Sequence, residues 1–252
     1  NYFMAELGQP MHAFDADKLM GGLHVRKAKA VETIAALDGK TYLLDDTMLV
    51  IADQEHVVAV AGIMGGEATS VTSSTRSIVF ECATFDPVSI RRTARQLNLY
   101  SDAQLRFEKG LSTQAPPDAL ARGLEYGKEL AGGSVTTLID IRTGTYKPLV
   151  YKITIDEIIS LIGVSLTDRE IIRTLRRLGI SVTQKGRVLT ATIPWWRDHD
   201  IESGRDLVEE IARIYGYTNI PAIFPAGMSP RKMDPELVWE RHVRAIAKGA
   251  GL

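Results

Sequence analysis

The chain has 252 residues, of which 45% are hydrophobic and 24% charged, and its formal net charge is -1 at pH 7. This composition is typical of a globular protein with a sizeable core and room for two domains. It excludes a general nucleic-acid coat, which would be far more basic, so any RNA contact must come from a local patch. The single cysteine, Cys82, excludes an internal disulfide and fits a reducing compartment. No apolar run is long enough to span a bilayer.

The first part of the chain, to about residue 147, mixes strands with a few helices. Asp38-Gly39 between two apolar runs predicts a hairpin. Asp86-Pro87 supplies a capping residue and a proline at the first helical position, and a later helix from about Pro117 to Leu130 ends at Gly132-Gly133. An exposed strand is predicted at 23–26, and buried strands at 48–51, 57–60 and 77–82. Because strands and helices do not alternate regularly, the pattern indicates an α+β fold and not a Rossmann core.

A domain boundary is predicted near residues 146–148. A strand at 152–155 and a short helix at 157–162 follow, and Thr167 opens a further helix with a capping box. In that helix Ile171, Ile172, Leu175 and Leu178 are expected to point inward, with Gly179 as its stop. Strands near 181–182 and 189–193 come next. Two helices followed by a two-stranded wing indicate a small winged-helix-like domain.

The winged-helix pattern raises DNA binding as a rival function. The second helix of the pattern carries four arginines that could line a recognition helix: Arg169, Arg173, Arg176 and Arg177. Neighbouring acidic residues balance this charge, which favours a solvated helix face. We therefore expect no DNA partner.

An acidic helix follows the wing, after Trp195 and Trp196. Its inward face is predicted from the spacing of Leu207, Val208, Ile211 and Ile214. The side chains of four acids can converge at its start: Asp200, Asp206, Glu209 and Glu210. Oxygen ligands of this kind suit a hard ion such as Mg²⁺. The alternative is plain capping, because Ser203 precedes Asp206 by three residues and acids in the first turn complement the helix dipole.

Beyond Tyr217, prolines at 221, 225, 230 and 235 indicate a linker, and residues 236–252 read as the opening helix of another module. The chain starts at Asn1 in sequence that reads as a strand, and it stops at Gly251-Leu252 just after the helical pattern. We therefore expect it to be an internal segment of a longer protein.

Several residues of the first part could carry chemistry, and each also has a structural interpretation. His12 alone is typical of a hydrogen-bonded structural histidine. Residues 61–67 are glycine-rich but lack the ending of a phosphate loop, so they indicate either a tight turn or a backbone wall close to a ligand. Glu81 is the polar residue of an apolar strand, and simple alternation would turn it to water. Ser101 to Ala103 read as a polar loop, and Cys82 as a small buried hydrophobe.

Two motifs resemble the β subunit of bacterial phenylalanyl-tRNA synthetase. One is Trp-Arg-x-x-Asp-Ile at 196–201 followed by Asp-Leu-Val-Glu-Glu-Ile-Ala-Arg-Ile-Tyr-Gly-Tyr at 206–217, and the other is Leu-Gly-Gln-Pro-Met-His-Ala-Phe-Asp at 7–15. The resemblance implies a tRNA-editing domain at 1–147, a winged-helix-like domain at 148–220, and a linker with the first helix of a class II synthetase-like module at 221–252. It implies an editing pocket lined by His12, Gly65, Glu81, Ser101 and Ala103. It also implies that Asp200, Asp206, Glu209 and Glu210 bind a Mg²⁺ ion shared with the α subunit.

The editing role implied by the resemblance is hydrolysis of tyrosine wrongly attached to tRNA(Phe). A pocket built for phenylalanine has limited power to reject an isostere that adds a hydroxyl, and a second pocket can reward that hydroxyl. A carboxylate at Glu81 would accept the phenol hydrogen bond, whereas phenylalanine would leave that charge unpaired. We expect His12 and Ser101 to orient the ester and an attacking water, with backbone groups near Gly65 helping. A triad of His12, Ser101 and Asp102 is not convincing from the sequence.

This chain differs from the family in two respects. The family usually has threonine where this chain has Ser101, and its editing domain begins before Asn1. The implied full enzyme is a cytoplasmic α2β2 assembly that charges tRNA(Phe) with ATP and Mg²⁺, and this segment alone would be at most an aminoacyl-tRNA deacylase. The alternative function is a non-catalytic module for nucleic-acid binding or subunit assembly.

Overall fold

The structure is a computed structural model, and it describes residues 1–142, 144–223 and 234–251. The chain divides into two compact units, Asn1–Ile214 and Tyr215–Leu252. In the described residues the α-helices are α1 (Tyr2–Leu7), α2 (Pro87–Leu97), α3 (Asp102–Phe107), α4 (Ala115–Ala131), α5 (Ile155–Ile162), α6 (Asp168–Arg177), α7 (Gly204–Tyr215) and α8 (Pro235–Gly249). The strands are β1 (His12–Asp15), β2 (His24–Lys27), β3 (Thr33–Ala35), β4 (Thr41–Leu43), β5 (Leu49–Ala52), β6 (Val57–Val60), β7 (Met64–Gly65), β8 (Ile78–Glu81), β9 (Val150–Thr154), β10 (Ser181–Lys185) and β11 (Val188–Thr192).

The described strands form antiparallel sheets, which confirms the predicted α+β class. One sheet has the order β2-β5-β6-β7, another has the order β10-β11-β9, and β1 with β8 and β3 with β4 form two-stranded ribbons. The β3–β4 ribbon is the hairpin predicted at Asp38-Gly39. Its loop has Gly39 at φ 78°, and the Asp38 carboxylate accepts the Tyr42 hydroxyl at 2.6 Å. The left-handed backbone at the turn explains why glycine stands there.

The core of the first part lies between the four-stranded sheet and α2. Strands β5 and β6 are buried, as their apolar runs predict, and Val50 and Val60 pack with Ile90 of α2 and Phe107 of α3. The start of α2 is the predicted one, because the Asp86 side chain accepts the Ser89 N–H at 2.7 Å. Asn98 ends α2 in the left-handed conformation. These contacts place α3 directly beside the loop that follows β6.

The β1–β8 ribbon lies between that sheet and α4. Phe14 and its partner across the ribbon, Val79, pack into the cluster that contains Ile51 and Val58. The opposite face of β8 points towards α4. The prediction of a buried strand at 77–82 is wrong, because Ile78 is 44% exposed and the other residues of β8 are only partly buried.

The strand expected at Asn1 is wrong, because residues from Tyr2 onward form α1. Met, Ala, Glu and Leu are good helix formers, and Gly8 ends the helix with φ 74°. Phe3 then packs on Tyr126 of α4, with the ring centroids 5.7 Å apart.

The segment from β9 to α7 has the element order expected for a winged-helix-like domain, with β9 as a third strand beside the wing. Thr167 and Glu170 form the predicted capping box at the start of α6. Ile171 and Leu175 are fully buried, whereas Ile172 and Leu178 are partly exposed. In α7 the prediction for Ile214 is wrong, because that side chain is 44% exposed.

The second unit contains α8, close to the helix predicted at 236–252. Its N-cap is Asp234, whose carboxylate accepts the Glu236 N–H at 3.1 Å. The predicted linker prolines at 225 and 230 lie outside the described residues. None of the described helices combines the length and the apolar character needed to cross a membrane.

Candidate functional site

His12 and Glu81 stand opposite each other in the β1–β8 ribbon. Side chains of directly paired residues lie on the same face of a sheet, so the imidazole and the carboxyl group are neighbours. Glu81 also shares its face with Val79, two residues earlier, which packs into the core. The interpretation of Glu81 as a water-facing residue is therefore wrong. The His12 ring packs edge-on against Phe14, with centroids 4.5 Å apart.

Gly65 brings the backbone of β7 against the imidazole. A Cβ atom at this position would lie 2.4 Å from His12 Cε1 and 2.6 Å from His12 Nε2, closer than real Cβ contacts allow. A Cβ at Gly66 would lie 2.8 Å from the Val58 carbonyl oxygen. Of the two interpretations of this glycine-rich segment, the backbone wall therefore describes its contacts better than a turn alone.

Ser101 is held beside the same segment by its hydroxyl group. Ser101 Oγ donates to the Ile63 carbonyl at 2.7 Å and accepts the Gln104 N–H at 3.1 Å, so it caps α3. Ala103, in the first turn of α3, packs against the core cluster that includes Ile63. The hydroxyl proton of Ser101 is thus committed to a backbone carbonyl, which assigns Ser101 a positioning contact in place of the predicted contact to an ester or a water.

The surroundings of the His12–Glu81 pair favour the neutral form of both groups. Burial raises the pKa of Glu81 to about 7. Burial also lowers the pKa of His12 below its usual range. His12 Nε2 is buried and has no hydrogen-bond partner among the described residues. Buried polar atoms normally have a partner, so the ring edge that faces Gly65 carries an unsatisfied nitrogen of the imidazole.

The site contains no hydrolytic triad in the described residues. No hydrogen bond joins His12 to Ser101, and Asp102 is an exposed residue in the first turn of α3. Cys82 is partly buried, its thiol donates to the Pro116 carbonyl at 3.4 Å, and burial raises its pKa to about 12. An unreactive thiol of this kind agrees with the prediction that Cys82 is a small packing residue.

Gln9 is a buried residue beside the ribbon that the sequence analysis gave no role. It is 1% exposed, and its amide nitrogen donates to the Ala83 carbonyl at 2.9 Å and to the Pro10 carbonyl at 3.1 Å. Two carbonyl acceptors fix which way the amide points. The one signal for Gln9 in the sequence was its position inside the motif at 7–15.

Three of the four acids predicted as magnesium ligands have other partners, Asp200, Asp206 and Glu210. Arg197 Nη2 lies 2.8 Å from Asp200 Oδ2 and 2.8 Å from Glu210 Oε1, and Arg213 pairs with the other Glu210 oxygen. The hydrogen bond from Arg197 lowers the pKa of Glu210. Arg197 was not singled out from the sequence, although it stands inside the Trp-Arg motif.

Asp206 and Glu209 do not join that ion-pair network. Asp206 Oδ2 accepts the N–H groups of Glu202 and Ser203, each at 2.8 Å, which supports the capping interpretation, and Glu209 is exposed. Across the described ranges, no three His, Cys, Asp or Glu side chains are grouped so that they could hold a metal ion. As arranged here, the four acids do not fit a Mg²⁺ ion, and the magnesium site stays a prediction.

Comparison with known proteins finds a matching family for each of two regions of the chain. The family model of the B3/4 domain matches residues 1–132, and that of the tRNA synthetase B5 domain matches residues 151–217. The chain thus falls in the class of synthetase subunits that combine these two domains. It is 43% identical over 255 residues to the phenylalanine–tRNA ligase beta subunit of Moorella thermoacetica, an alignment that covers 100% of this chain and 32% of that protein. The chain belongs to the family of phenylalanyl-tRNA synthetase beta subunits.

Further relatives bear the same name. The phenylalanine–tRNA ligase beta subunit of Psychrobacter arcticus is 42% identical over 227 residues, covering 89% of this chain and 28% of that protein. The chain therefore spans about a third of the length of the curated relatives it matches. A crystal structure of an N-terminal fragment of the phenylalanyl-tRNA synthetase beta subunit from Pyrococcus horikoshii aligns with a TM-score of 0.46 and 20% identity, over 82% of this chain and 60% of that one.

Proposed function

We propose that the first part of this chain hydrolyses the ester of Tyr-tRNA(Phe) at the site formed by His12, Gly65 and Glu81. The observation that carries the proposal is the pairing of Glu81 with His12 on the inner face of the β1–β8 ribbon. Both side chains are partly buried, and both lack a strong partner of opposite charge in the described residues. Such a pair is suited to a polar ligand that supplies the missing hydrogen bonds.

Glu81 is the proposed specificity residue. The phenol of tyrosine would donate to the Glu81 carboxylate and favour its ionised form, whereas the phenylalanine ring would leave that carboxyl group in a dry environment without a partner. A site built to bind a hydroxyl rejects the analogue that lacks it by a large factor. We therefore expect hydrolysis of Tyr-tRNA(Phe) to exceed that of Phe-tRNA(Phe).

His12 is the proposed catalytic residue, and Ser101 has a supporting role. A neutral imidazole can accept a proton from an attacking water, and the β7 backbone at Gly65 fixes the ring in place. Ser101 acts indirectly. Its hydroxyl holds the start of α3 to the Ile63 carbonyl and so fixes the position of Ala103. The proposed chemistry is orientation of the ester and a water, without a covalent intermediate.

The test is deacylation of Tyr-tRNA(Phe) and Phe-tRNA(Phe) by the full chain, its Glu81→Ala variant and a Glu67→Ala control. Glu67 is an exposed carboxylate at the end of the glycine-rich segment, so the control loses the same charge outside the site. We expect Glu81→Ala to lose its preference for Tyr-tRNA(Phe) and Glu67→Ala to keep it. Equal rates for wild type and Glu81→Ala would remove Glu81 from its role. RNA binding without deacylation would favour a non-catalytic binding module.

For the complete subunit we propose the role that its relatives' name describes. It would pair with an α subunit in a cytoplasmic α2β2 enzyme that charges tRNA(Phe) with phenylalanine, and ATP would be a substrate of that assembly. Mg²⁺ binding by Asp200 and Glu210 would require both carboxylates to exchange the Arg197 guanidinium for the ion. The segment alone would act at most as a deacylase.

A further inference from the structure

The outer face of α2 is a basic surface that the proposed hydrolysis does not use. The side chains of Arg91, Arg92 and Arg95 are exposed on this face, and with Val88 and Gln96 they line a groove of about 480 Å³. We call these five residues the arginine face. None of the residues that line it is acidic, although the chain as a whole has a net charge of -1. Positive charge is therefore concentrated here and not spread evenly.

Two carboxylates border the arginine face, and their contacts leave most of its charge uncompensated. Glu108 lies 3.9 Å from Arg91 Nε, and its carbonyl accepts Arg91 Nη2 at 2.9 Å. Asp45 accepts the amide of Gln96. Neither Arg92 nor Arg95 forms an ion pair within 4.0 Å in the part of the chain that the structure describes. Guanidinium groups of this kind bind phosphate oxygens through paired hydrogen bonds.

The inner face of the same helix packs on the glycine-rich segment at residues 61–67, which also contains Gly65 of the proposed hydrolytic site. A Cβ atom at Gly62 would lie 2.9 Å from Ile90 Cδ1, so α2 packs directly on the glycine-rich segment. Ile90 is buried, and Arg91 and Arg92 follow it in the sequence on the exposed side. The arginine face and the glycine-rich segment therefore lie on opposite faces of α2.

An exposed aromatic residue lies in the short connection between α2 and α3. Tyr100 is 57% exposed and directly precedes Ser101, which caps α3. An exposed tyrosine ring can stack on an unpaired base, whereas bases within a duplex are not accessible to it. A basic groove combined with an aromatic ring is the pattern by which proteins bind single-stranded nucleic acid.

From this arrangement we infer that the arginine face and Tyr100 bind the single-stranded 3′ end of the aminoacylated RNA, with phosphates on Arg92 and Arg95 and a base on Tyr100. The inference rests on the proposed function, because it identifies the surface along which the substrate's RNA would reach the site. It assigns the arginines to affinity and leaves the chemistry to the His12–Glu81 pair.

The test is binding of a fluorescent single-stranded RNA of about 12 nucleotides ending in CCA, followed by anisotropy across a salt series. We expect Arg92→Gln/Arg95→Gln to raise Kd about tenfold at 0.1 M salt and to reduce the salt slope by about 1.4, the value for two lost phosphate contacts on a single strand. Tyr100→Ala should raise Kd at least about fivefold, and Tyr100→Phe should leave it unchanged because stacking is retained. A duplex of the same sequence should compete poorly.

The matched control is Arg169→Gln/Arg173→Gln, which removes the same charge from exposed arginines of α6. Its Kd should stay within about twofold of wild type. The inference is overturned if wild type does not bind the RNA, if Arg92→Gln/Arg95→Gln binds as wild type does, or if the α6 variant loses as much affinity.

Deacylation separates this inference from the proposed function. If both hold, Arg92→Gln/Arg95→Gln should raise KM for Tyr-tRNA(Phe) about tenfold with kcat unchanged. If wild type binds the RNA with the expected mutant pattern but releases no tyrosine, the hydrolytic proposal fails and the RNA surface stands. If wild type releases tyrosine and the variant does so with the same KM, the RNA surface is wrong and the hydrolytic proposal stands.

Discussion

Glu81 holds its proton to a higher pH in the folded protein than in the unfolded chain. Its pKa is raised from 4.5 to about 7 by burial. The folded state therefore binds the extra proton, and the stability this contributes is fully present below pH 4.5 and is lost as the pH rises through 7.

Glu81→Gln should remove this dependence. At pH 8 we expect the variant to be more stable than wild type by roughly 2 kcal/mol, less than the full linkage value because Glu81 is partly exposed, and near pH 4.5 the two should be equal. Urea denaturation between pH 4.5 and pH 8 measures the difference in the free energy of unfolding between wild type and Glu81→Gln. Both proteins contain His12, so its contribution cancels in that difference. Glu67→Gln, at an exposed carboxylate, should follow wild type. Parallel curves for wild type and Glu81→Gln would contradict the burial of this carboxyl group.

The raised pKa of Glu81 also predicts a pH dependence of the proposed activity. A tyrosine phenol is best accepted by ionised Glu81, so the rate of Tyr-tRNA(Phe) hydrolysis relative to Glu81→Gln should rise as the pH passes through about 7. The ratio corrects for spontaneous ester hydrolysis, which is common to both. A ratio that stays constant from pH 6 to pH 8 would separate Glu81 ionisation from substrate recognition.

Gly65→Ala should disturb the position of the imidazole, because the new Cβ would lie 2.4 Å from His12 Cε1. We expect a loss of about 1–3 kcal/mol in stability and at least a tenfold loss in the rate of deacylation. Gly22→Ala is the control, since a Cβ there meets nothing within 4 Å. Wild-type activity in Gly65→Ala would exclude a close fit between β7 and His12.

At the scale of elements, Arg197 joins the loop before α7 to the helix itself. Arg197→Ala would leave Glu210, whose side chain is 10% exposed, with one fewer partner. We expect the free energy of unfolding to fall by about 3 kcal/mol. Arg205→Ala, at an exposed arginine in the first turn of α7, should change it by less than about 0.5 kcal/mol. Equal losses for the two variants would show that the network carries no special stability.

The Arg197→Ala variant also tests whether Mg²⁺ binds to these carboxylates. If Asp200 and Glu210 are ligands, removal of the competing guanidinium should let millimolar Mg²⁺ raise the Tm of Arg197→Ala by more than it raises the Tm of wild type. Ca²⁺ and high NaCl serve as controls for general screening. An identical shift in both proteins would count against the magnesium proposal.

The local elements could be predicted from the sequence because their signals are local. The capping box at Thr167, the proline start of α2 and the glycine turn at Gly39 depend on residues within a few positions of each other. The direction of Glu81 could not be predicted in this way, because it depends on the pairing of β8 with β1, a strand far earlier in the chain. The helix at α1 was missed although its signals are local, since good helix formers are followed there by Gly8 at φ 74°.

The candidate site was predictable as a set of residues but not as an arrangement. The family resemblance implied His12 and Glu81, whereas the hydrogen bond from the Ser101 hydroxyl to the Ile63 carbonyl depends on a contact between distant segments. The Arg197 network was missed because a metal cluster and an ion-pair network can carry the same acidic spacing.

At the scale of the whole molecule, a partly buried hydrogen bond joins the two regions matched by the B3/4 and B5 family models. Ser112 is 7% exposed and its Oγ donates to Asp198 Oδ2 at 2.7 Å, within the unit Asn1–Ile214. Ser112→Ala should cost about 1–2 kcal/mol, and a double-mutant cycle with Asp198→Asn should give a coupling energy of about 1 kcal/mol. Ser134→Ala, at an exposed serine, should be neutral. A coupling energy of zero would mean that the hydrogen bond between Ser112 and Asp198 does not stabilise the folded protein.

The pairing of His12 with Glu81 also has a consequence for protein synthesis. The two strands that carry them come from opposite ends of the segment that folds between them, and the α3 capping contact comes later still. Contacts between segments this far apart in the chain cannot form until both segments have been synthesised. If the proposed function holds, a nascent polypeptide should show no hydrolysis of Tyr-tRNA(Phe) until α3 has emerged from the ribosome, so the activity would arise in one step and not gradually.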